Sequence, residues 1–142
     1  MGVKEKYKKK YEIILKIMEY VEYLKHSVQK YSNERGEKKD SREQEMIEAV
    51  LSEIEKLYSD VENLCIYYEE ESQKSNPRLL PGILEFLGRP SISVQRESIE
   101  NLFKRCIWGT ERRNLPFSER DTQNAKDVAD ILYTLEMLIK EL

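Results

Sequence analysis

Two pairs of carboxylates are the residues of this chain whose spacing could support catalysis. Glu97 and Glu100 stand three positions apart in one amphipathic stretch, and Asp127 and Asp130 stand three apart in another. Side chains three apart share one face of a helix, so two packed helices could bring all four carboxylates together. Carboxylate oxygens are preferred ligands of Mg2+, and a bound Mg2+ can activate water for hydrolysis of a nucleotide pyrophosphate. A magnesium site is therefore one alternative.

The segment around the second pair carries a family resemblance. Residues 126–132, Lys-Asp-Val-Ala-Asp-Ile-Leu, resemble the second acidic motif of the all-α MazG-type pyrophosphatases. Asp127 stands where that family usually has Glu, and no further helix follows the one that contains Asp130. Asp130 also points away from the apolar side of its helix. The resemblance implies a Mg-dependent all-α nucleotide pyrophosphatase, kept here as an alternative.

Other catalytic chemistry finds no support in the residue types. His26 is the single histidine, and no spacing of histidines and cysteines suits a zinc site. Cys65 and Cys106 are far apart on apolar helical faces, which predicts buried free thiols. We predict no catalytic residue, no cofactor and no small-molecule substrate, and a non-enzymatic role is favoured.

Arginines concentrate in the second half of the chain. Seven of the nine arginines lie between positions 78 and 120, with glutamates interleaved among them. Guanidinium groups bind phosphates through paired hydrogen bonds, and an indole offers a stacking surface for a base. A nucleic-acid contact through residues 89–120 is thus an alternative function, although the net charge of −3 gives no overall attraction. The candidate residues are Arg96, Lys104, Arg105, Trp108, Arg112, Arg113 and Arg120.

Heptad spacing of apolar residues predicts the elements that position these groups. The stripe of the central helix, over residues 41–74, is built on Ile47, Ile54, Val61 and Tyr68. The first helix, over residues 3–31, repeats the pattern with Tyr7, Ile14, Val21 and Val28. The polar segment between them contains Gly36, which can end a helix, and Asp40 or Ser41 can cap the next. Residues 1–74 are therefore predicted to form an antiparallel helical hairpin.

Three further helices are predicted in residues 75–142. A short apolar helix over residues 79–87 should end at Gly88 and Pro90 and plug the core. An amphipathic helix should then follow over residues 91–109.

The last helix carries a recognisable start. Ser118 with Asp121 forms an approximate capping box, and apolar residues then recur at helical spacing to the C-terminus. We therefore predict one all-α domain over residues 1–142, in which the further helices pack on the hairpin as a four-helix-bundle-like unit.

The hairpin also suggests an assembly surface. A helix of about 34 residues is about 50 Å long, more than a compact domain of this size needs, so the hairpin should project with part of its stripe exposed. We expect a homodimer or a protein partner there. Val61 and Tyr68 of this stripe are candidate interface residues. A basic column spaced by seven on the back of the first helix, pointing away from the stripe, supplies the others: Lys9, Lys16, Tyr23 and Lys30.

No secretory signal is apparent at the start, and no apolar run reaches the roughly 18 residues of a membrane span. We expect a cytoplasmic protein with no membrane contact. The favoured function is a non-enzymatic helical protein–protein interaction module, a small subunit or adaptor of an intracellular complex.

Overall fold

Four α-helices make up the described chain. The structure is a computed structural model that describes residues 2–73 and 83–142, and for residues 3, 4 and 83–89 it describes the backbone alone. The helices are α1 (Val3–Arg35), α2 (Ser41–Gln73), α3 (Ile83–Arg112) and α4 (Glu119–Glu141), with a single 3-10 turn at Gly36–Lys38. No strand occurs in these two ranges. The predicted all-α class is confirmed.

The antiparallel hairpin of α1 and α2 is also confirmed. At one end, the rings of Tyr7 and Tyr68 lie 6.2 Å apart. Near the middle, Lys25 Nζ lies 2.7 Å from Glu55 Oε1. Contacts that join early residues of α1 to late residues of α2 require the two helices to run in opposite directions.

The turn between α1 and α2 uses the residues that the sequence singles out. Gly36 follows the last residue of α1 with φ 51° and ψ −127°, a conformation that a side chain would strain. Asp40 then caps α2, because its carboxylate accepts a 2.8 Å hydrogen bond from the backbone N–H of Glu43. Of the two predicted caps, Asp40 supplies this bond.

The predicted break at Gly88 and Pro90 was wrong. A single helix, α3, runs through both residues, and Pro90 lies inside it. Residues 79–82 of the predicted plug lie outside the described ranges. Just beyond Pro90, the side chains of Ser91 and Gln95 donate hydrogen bonds of 3.2 and 2.7 Å to Asp60 of α2. Packing against α2 thus outweighs the missing N–H of one proline.

The predicted end at Trp108 and Gly109 was also too early. The helix ends in a Schellman motif, in which the N–H of Leu115 donates to the carbonyl of Thr110 and that of Asn114 to Glu111, at 3.1 and 3.0 Å. Asn114 takes the positive φ of 54° that glycine more often supplies. Gly109 stays helical, and a Cβ there would lie 2.8 Å from Arg113 Nη1, so its bare backbone leaves room for that side chain.

The helices pack as a four-membered bundle. Each helix lies beside the next along the chain, and α4 returns to lie beside α1. Because α3 has 30 residues and the hairpin helices have 33 each, α3 accompanies most of the hairpin. The projecting hairpin with an exposed stripe was therefore a wrong prediction. Val61 and Tyr68 are fully buried within the chain itself, so they cannot form a surface for a partner.

A fully buried arginine closes one end of the bundle. Arg35 is the last residue of α1 and donates two hydrogen bonds to the carboxylate of Glu43 in α2. Its Nη2 lies 2.7 Å from Oε1, and its Nε lies 3.0 Å from Oε2. Its Nη1 lies 3.3 Å from Asp121 Oδ2 in α4 and donates to the carbonyl of Pro116. The ring of Phe117 covers the guanidinium at 5.1 Å.

Neighbouring side chains complete this buried ion network. Thr110 of α3 places its hydroxyl 2.5 Å from Glu43 Oε1, and Lys38 reaches Asp121 Oδ2 at 2.9 Å. Asp121 also forms the predicted capping box with Ser118, which is confirmed. All four helices therefore contribute a side chain or a terminus to one polar cluster around Arg35.

The network predicts a loss of stability in acid. Burial alone raises the pKa of Asp121, but hydrogen bonds from Lys38, Ser118 and Arg35 outweigh it and lower the pKa from 3.8 to about 2. Because the folded pKa is depressed, this stabilisation is complete above the ordinary pKa and disappears as the pH falls from about 4 to about 2. We expect Asp121 to account for a loss on the order of 2 kcal/mol of unfolding free energy over that window.

Urea unfolding at a series of pH values measures this effect. The Asp121→Asn variant should show a flatter dependence on pH than the parent protein. Asp130→Asn, a matched change at an exposed residue of the same helix, should keep the parental slope. An unchanged slope in Asp121→Asn would remove this carboxylate from the explanation.

Candidate interaction surface

Several arginines that suggested a nucleic-acid contact are engaged inside the protein. Arg96 is only 7% exposed. Its Nη1 lies 2.9 Å from Glu100 Oε2 and 3.3 Å from the carbonyl of Leu132 in α4. Arg96 thus links α3 to α4 and is not available to a phosphate backbone, so its prediction as a nucleic-acid residue was wrong.

Two further arginines, near the end of the bundle that Arg35 closes, form ion pairs. Arg113 binds both carboxylate oxygens of Asp40, with its Nη2 at 3.0 Å from Oδ1. The Arg113 hydrogen bonds, followed by that from the Glu43 N–H, hold the pKa of Asp40 below its usual value. Arg120 is largely exposed but lies 3.3 Å from Glu34 Oε2. These contacts use the charges of Arg113 and Arg120 within the fold.

The four candidate metal ligands do not form a site. Glu100 is held between Arg96 and Lys104, whose Nζ lies 3.1 Å away, and Asp127 accepts a 3.0 Å hydrogen bond from Gln123 on its own helix. Burial raises the pKa of Glu100, but the hydrogen bonds from Lys104 and Arg96 lower it by more than burial raises it. The net pKa is therefore below the ordinary value, as expected of a paired carboxylate. Among the described residues, no three His, Cys, Asp or Glu side chains stand close enough to hold a metal. The magnesium site at Glu97, Glu100, Asp127 and Asp130 was a wrong prediction.

A groove between α3 and α4 has mixed charge. It encloses about 430 Å³, and bases and acids alternate along its walls. Its charged lining residues are Arg96, Lys104, Lys140, Glu97, Glu100 and Glu136. Each of the three positive groups is paired with a glutamate one turn away on its own helix, Arg96 and Lys104 with Glu100 and Lys140 with Glu136. The groove therefore has no strong preference for a charged ligand.

The outward side of the last turns of α3 differs from this groove, because it carries an exposed aromatic residue. Trp108 is 60% exposed, although a tryptophan near a helix end usually belongs to a core. Arg105 and Arg112 are exposed one turn before and one turn after it. Within the part of the chain that the structure describes, neither arginine makes an ion pair. We call Lys104, Arg105, Trp108 and Arg112 the basic stripe.

An apolar depression adjoins the basic stripe. It measures about 510 Å³ and is lined by Ile107, Glu111, Asn114, Leu115 and Phe117. Ile107 precedes Trp108 directly, and Glu111 follows it by three residues. The Schellman turn at Asn114 shapes this depression because it reverses the chain directly after the last turn of α3. Aromatic and apolar groups thus lie beside unpaired positive charge.

The predicted basic column on α1 is exposed as expected of a helix surface. Lys9, Lys16, Tyr23 and Lys30 all reach solvent. The hydroxyl of Tyr23 donates to Glu19 one turn earlier, and its ring lies 5.3 Å from that of Tyr20. Tyr23 therefore has partners for its hydroxyl and its ring within α1 itself. The interface role of this column remains a prediction.

Sequence reasoning missed a second exposed patch, on α2. Ile66 is 48% exposed, and Glu62, Glu69 and Glu70 surround it within one helical turn. None of these glutamates makes an ion pair within the described ranges. We call these four residues the acidic stripe. The signal was present in the sequence, because Ile66 falls outside the heptad stripe that the core uses.

Comparison with known proteins finds no protein family, no curated protein and no solved structure that matches this chain. Within the described residues, no helix is both long and apolar enough to cross a membrane.

Because Trp108 is exposed, its truncation to alanine should destabilise the protein less than truncation of a buried residue of the same helix. Trp108→Ala should lower the free energy of unfolding by no more than about 2 kcal/mol, because 60% of the residue is already exposed. Ile99→Ala, at a fully buried position of the same helix, should cost about 2–5 kcal/mol. Urea unfolding followed by circular dichroism compares the two, and similar large losses would place the indole in the core.

Proposed function

We propose that this chain is a non-enzymatic helical protein–protein interaction module, a small cytoplasmic subunit or adaptor, whose contact surface is the basic stripe of α3. One observation carries the proposal: the only tryptophan of the chain is exposed between two arginines that have no ion pair in the described structure. Nearby, the buried side chains of Glu43, Thr110 and Asp121 already take part in the network around Arg35. An exposed aromatic residue beside unpaired positive charge supports a role in recognition.

The residue types at this surface suit protein recognition. Tryptophan and arginine are enriched at the energetic centres of protein interfaces. The indole buries a large area with two side-chain torsions, and the planar guanidinium can form several hydrogen bonds at once. Covering the exposed part of one indole would contribute on the order of 3 kcal/mol. The contacts of Thr110 and Arg113 hold the last turns of α3 in place, so little ordering cost would oppose binding.

Nucleic-acid binding is the second candidate function. An exposed indole beside Arg105 and Arg112 could stack on a base while the guanidinium groups bind phosphates. Three observations favour a protein instead: Arg96 is buried, Arg113 is paired with Asp40, and the exposed Glu111 adjoins the basic stripe. A continuous phosphate backbone would meet that carboxylate, whereas a protein surface can place a neutral or basic group opposite it.

The test uses proteins that copurify with the native chain, each then purified and recombined with it. Because Trp108 is the only tryptophan, we expect its fluorescence emission to shift to shorter wavelength when a partner without tryptophan binds. Trp108→Ala and the double variant Arg105→Glu/Arg112→Glu should each raise the dissociation constant at least about tenfold.

The matched control is Lys8→Glu/Lys126→Glu, which changes the net charge equally at exposed positions of α1 and α4. Its affinity for the partner should remain close to that of the parent protein. Equal binding by Trp108→Ala and the parent would contradict the proposed surface. A salt-sensitive complex with purified DNA or RNA, lost in the Arg105→Glu/Arg112→Glu variant and formed when no protein binds, would support the second candidate.

A further inference from the structure

We propose that the basic stripe of one copy of this chain binds the acidic stripe of a second copy, with Ile66 packed on Trp108. This inference rests on the proposed function, because it names the partner of the same surface. The two stripes occupy neighbouring helices of one bundle and have opposite charge. Each has an exposed apolar residue at its centre, 60% exposed for Trp108 and 48% exposed for Ile66.

The spacing of charge around Trp108 is specific. Lys104 and Arg105 precede the indole by four and three residues, and Arg112 follows it by four. Glu111, three residues after Trp108, is the single acid among these near neighbours. All of these positions are exposed, and side chains three or four apart on a helix lie on adjoining parts of its surface.

The spacing around Ile66 is its counterpart. Glu62 precedes the isoleucine by four residues, and Glu69 and Glu70 follow it by three and four. Asn63, three residues before Ile66, is the neutral member of the set. These positions are exposed as well.

Antiparallel contact of the two stripes places unlike charges together. When Ile66 lies over Trp108 and the helices run in opposite directions, residues after one centre face residues before the other. Glu111 then faces the neutral Asn63. The facing charges are Lys104 with Glu70, Arg105 with Glu69, and Arg112 with Glu62. A parallel arrangement would set Glu111 against Glu69, so the charges select the antiparallel contact.

The two stripes of one molecule cannot meet each other. The contact of Thr110 with Glu43 places the end of α3 beside the start of α2. Ile66 lies 23 residues farther along α2 by the sequence numbers, which is about 35 Å of helix. The contact must therefore join different copies. It pairs two different surfaces, so each added copy leaves one stripe free at either end and the assembly can extend as an open chain.

Sedimentation velocity of the intact protein at increasing concentration tests the inference. At low salt we expect the average mass to rise past that of a dimer without a plateau, and the Trp108 emission to shift to shorter wavelength over the same range. Because the contact depends on exposed charge pairs, added salt should reverse both changes. A protein that stays monomeric at the highest concentration reached would overturn the inference.

Charge reversal on each stripe gives the sharper experiment. Arg105→Glu/Arg112→Glu and Glu62→Lys/Glu69→Lys should each be monomeric alone. Mixed in equal amounts, they should associate again, because the first keeps an intact acidic stripe and the second an intact basic stripe. Lys8→Glu/Lys126→Glu should assemble like the parent protein. Two variants that remain monomeric when mixed would also overturn the inference.

Failure here is distinguishable from failure of the proposed function. Poly-glutamate is a suitable probe, because it is an acidic polypeptide without tryptophan. A monomeric protein whose Trp108 emission still shifts with poly-glutamate, and no longer shifts in Arg105→Glu/Arg112→Glu, would retain the recognition surface and lose the second copy as its partner. Association that is indifferent to Trp108→Ala and to both charge reversals would contradict the surface itself.

Discussion

The buried guanidinium of Arg35 is the constraint on which the rest of the structure depends. A charge without solvent contact is stable only when it is paired and its donors are satisfied. Arg35 meets this condition through Glu43, Asp121 and the carbonyl of Pro116, which belong to three separate parts of the chain. The start of α2, the connection after α3 and the start of α4 must therefore converge on the end of α1. Hydrophobic packing along the helices alone would permit sliding, whereas this cluster has one good arrangement.

Fixing this end also fixes the surface that we propose for recognition. Thr110 binds Glu43 from the inner side of α3, and Arg113 crosses the bare backbone of Gly109 to reach Asp40. The core-facing side and the end of the last turns are thus held, and the opposite side carries Trp108. Charges buried or paired at the end of the bundle cannot serve a partner. The arginines of the basic stripe and the glutamates of the acidic stripe make no ion pair in the described fold, whereas Lys104 pairs with Glu100 on its own helix.

Sequence periodicity predicted the long-range architecture better than the local boundaries. The heptads of Tyr7 to Val28 and Ile47 to Tyr68 specify the hairpin, because burial of a continuous stripe involves many residues at once. Pro90 and Gly109 led to helix ends predicted in the wrong places. Each residue destabilises only one turn of the helix, and contacts such as that of Gln95 with Asp60 outweigh that destabilisation. The helix end at Asn114 was missed because asparagine less often supplies the positive φ.

The candidate site was predictable only in part. The sequence singled out Trp108, Arg105 and Arg112, but only the fold separates them from Arg96, which is buried, and Arg113, which is paired. Arg35 was missed altogether, since no local pattern links it to Asp121.

The most direct test of the role of Arg35 is the unfolding free energy of Arg35→Met beside that of the exposed control Arg105→Met. We predict a loss of about 3–5 kcal/mol for Arg35→Met, because Glu43 and Asp121 are left buried without a cation, and less than about 0.5 kcal/mol for the control. Equal, small losses in the two variants would contradict the account.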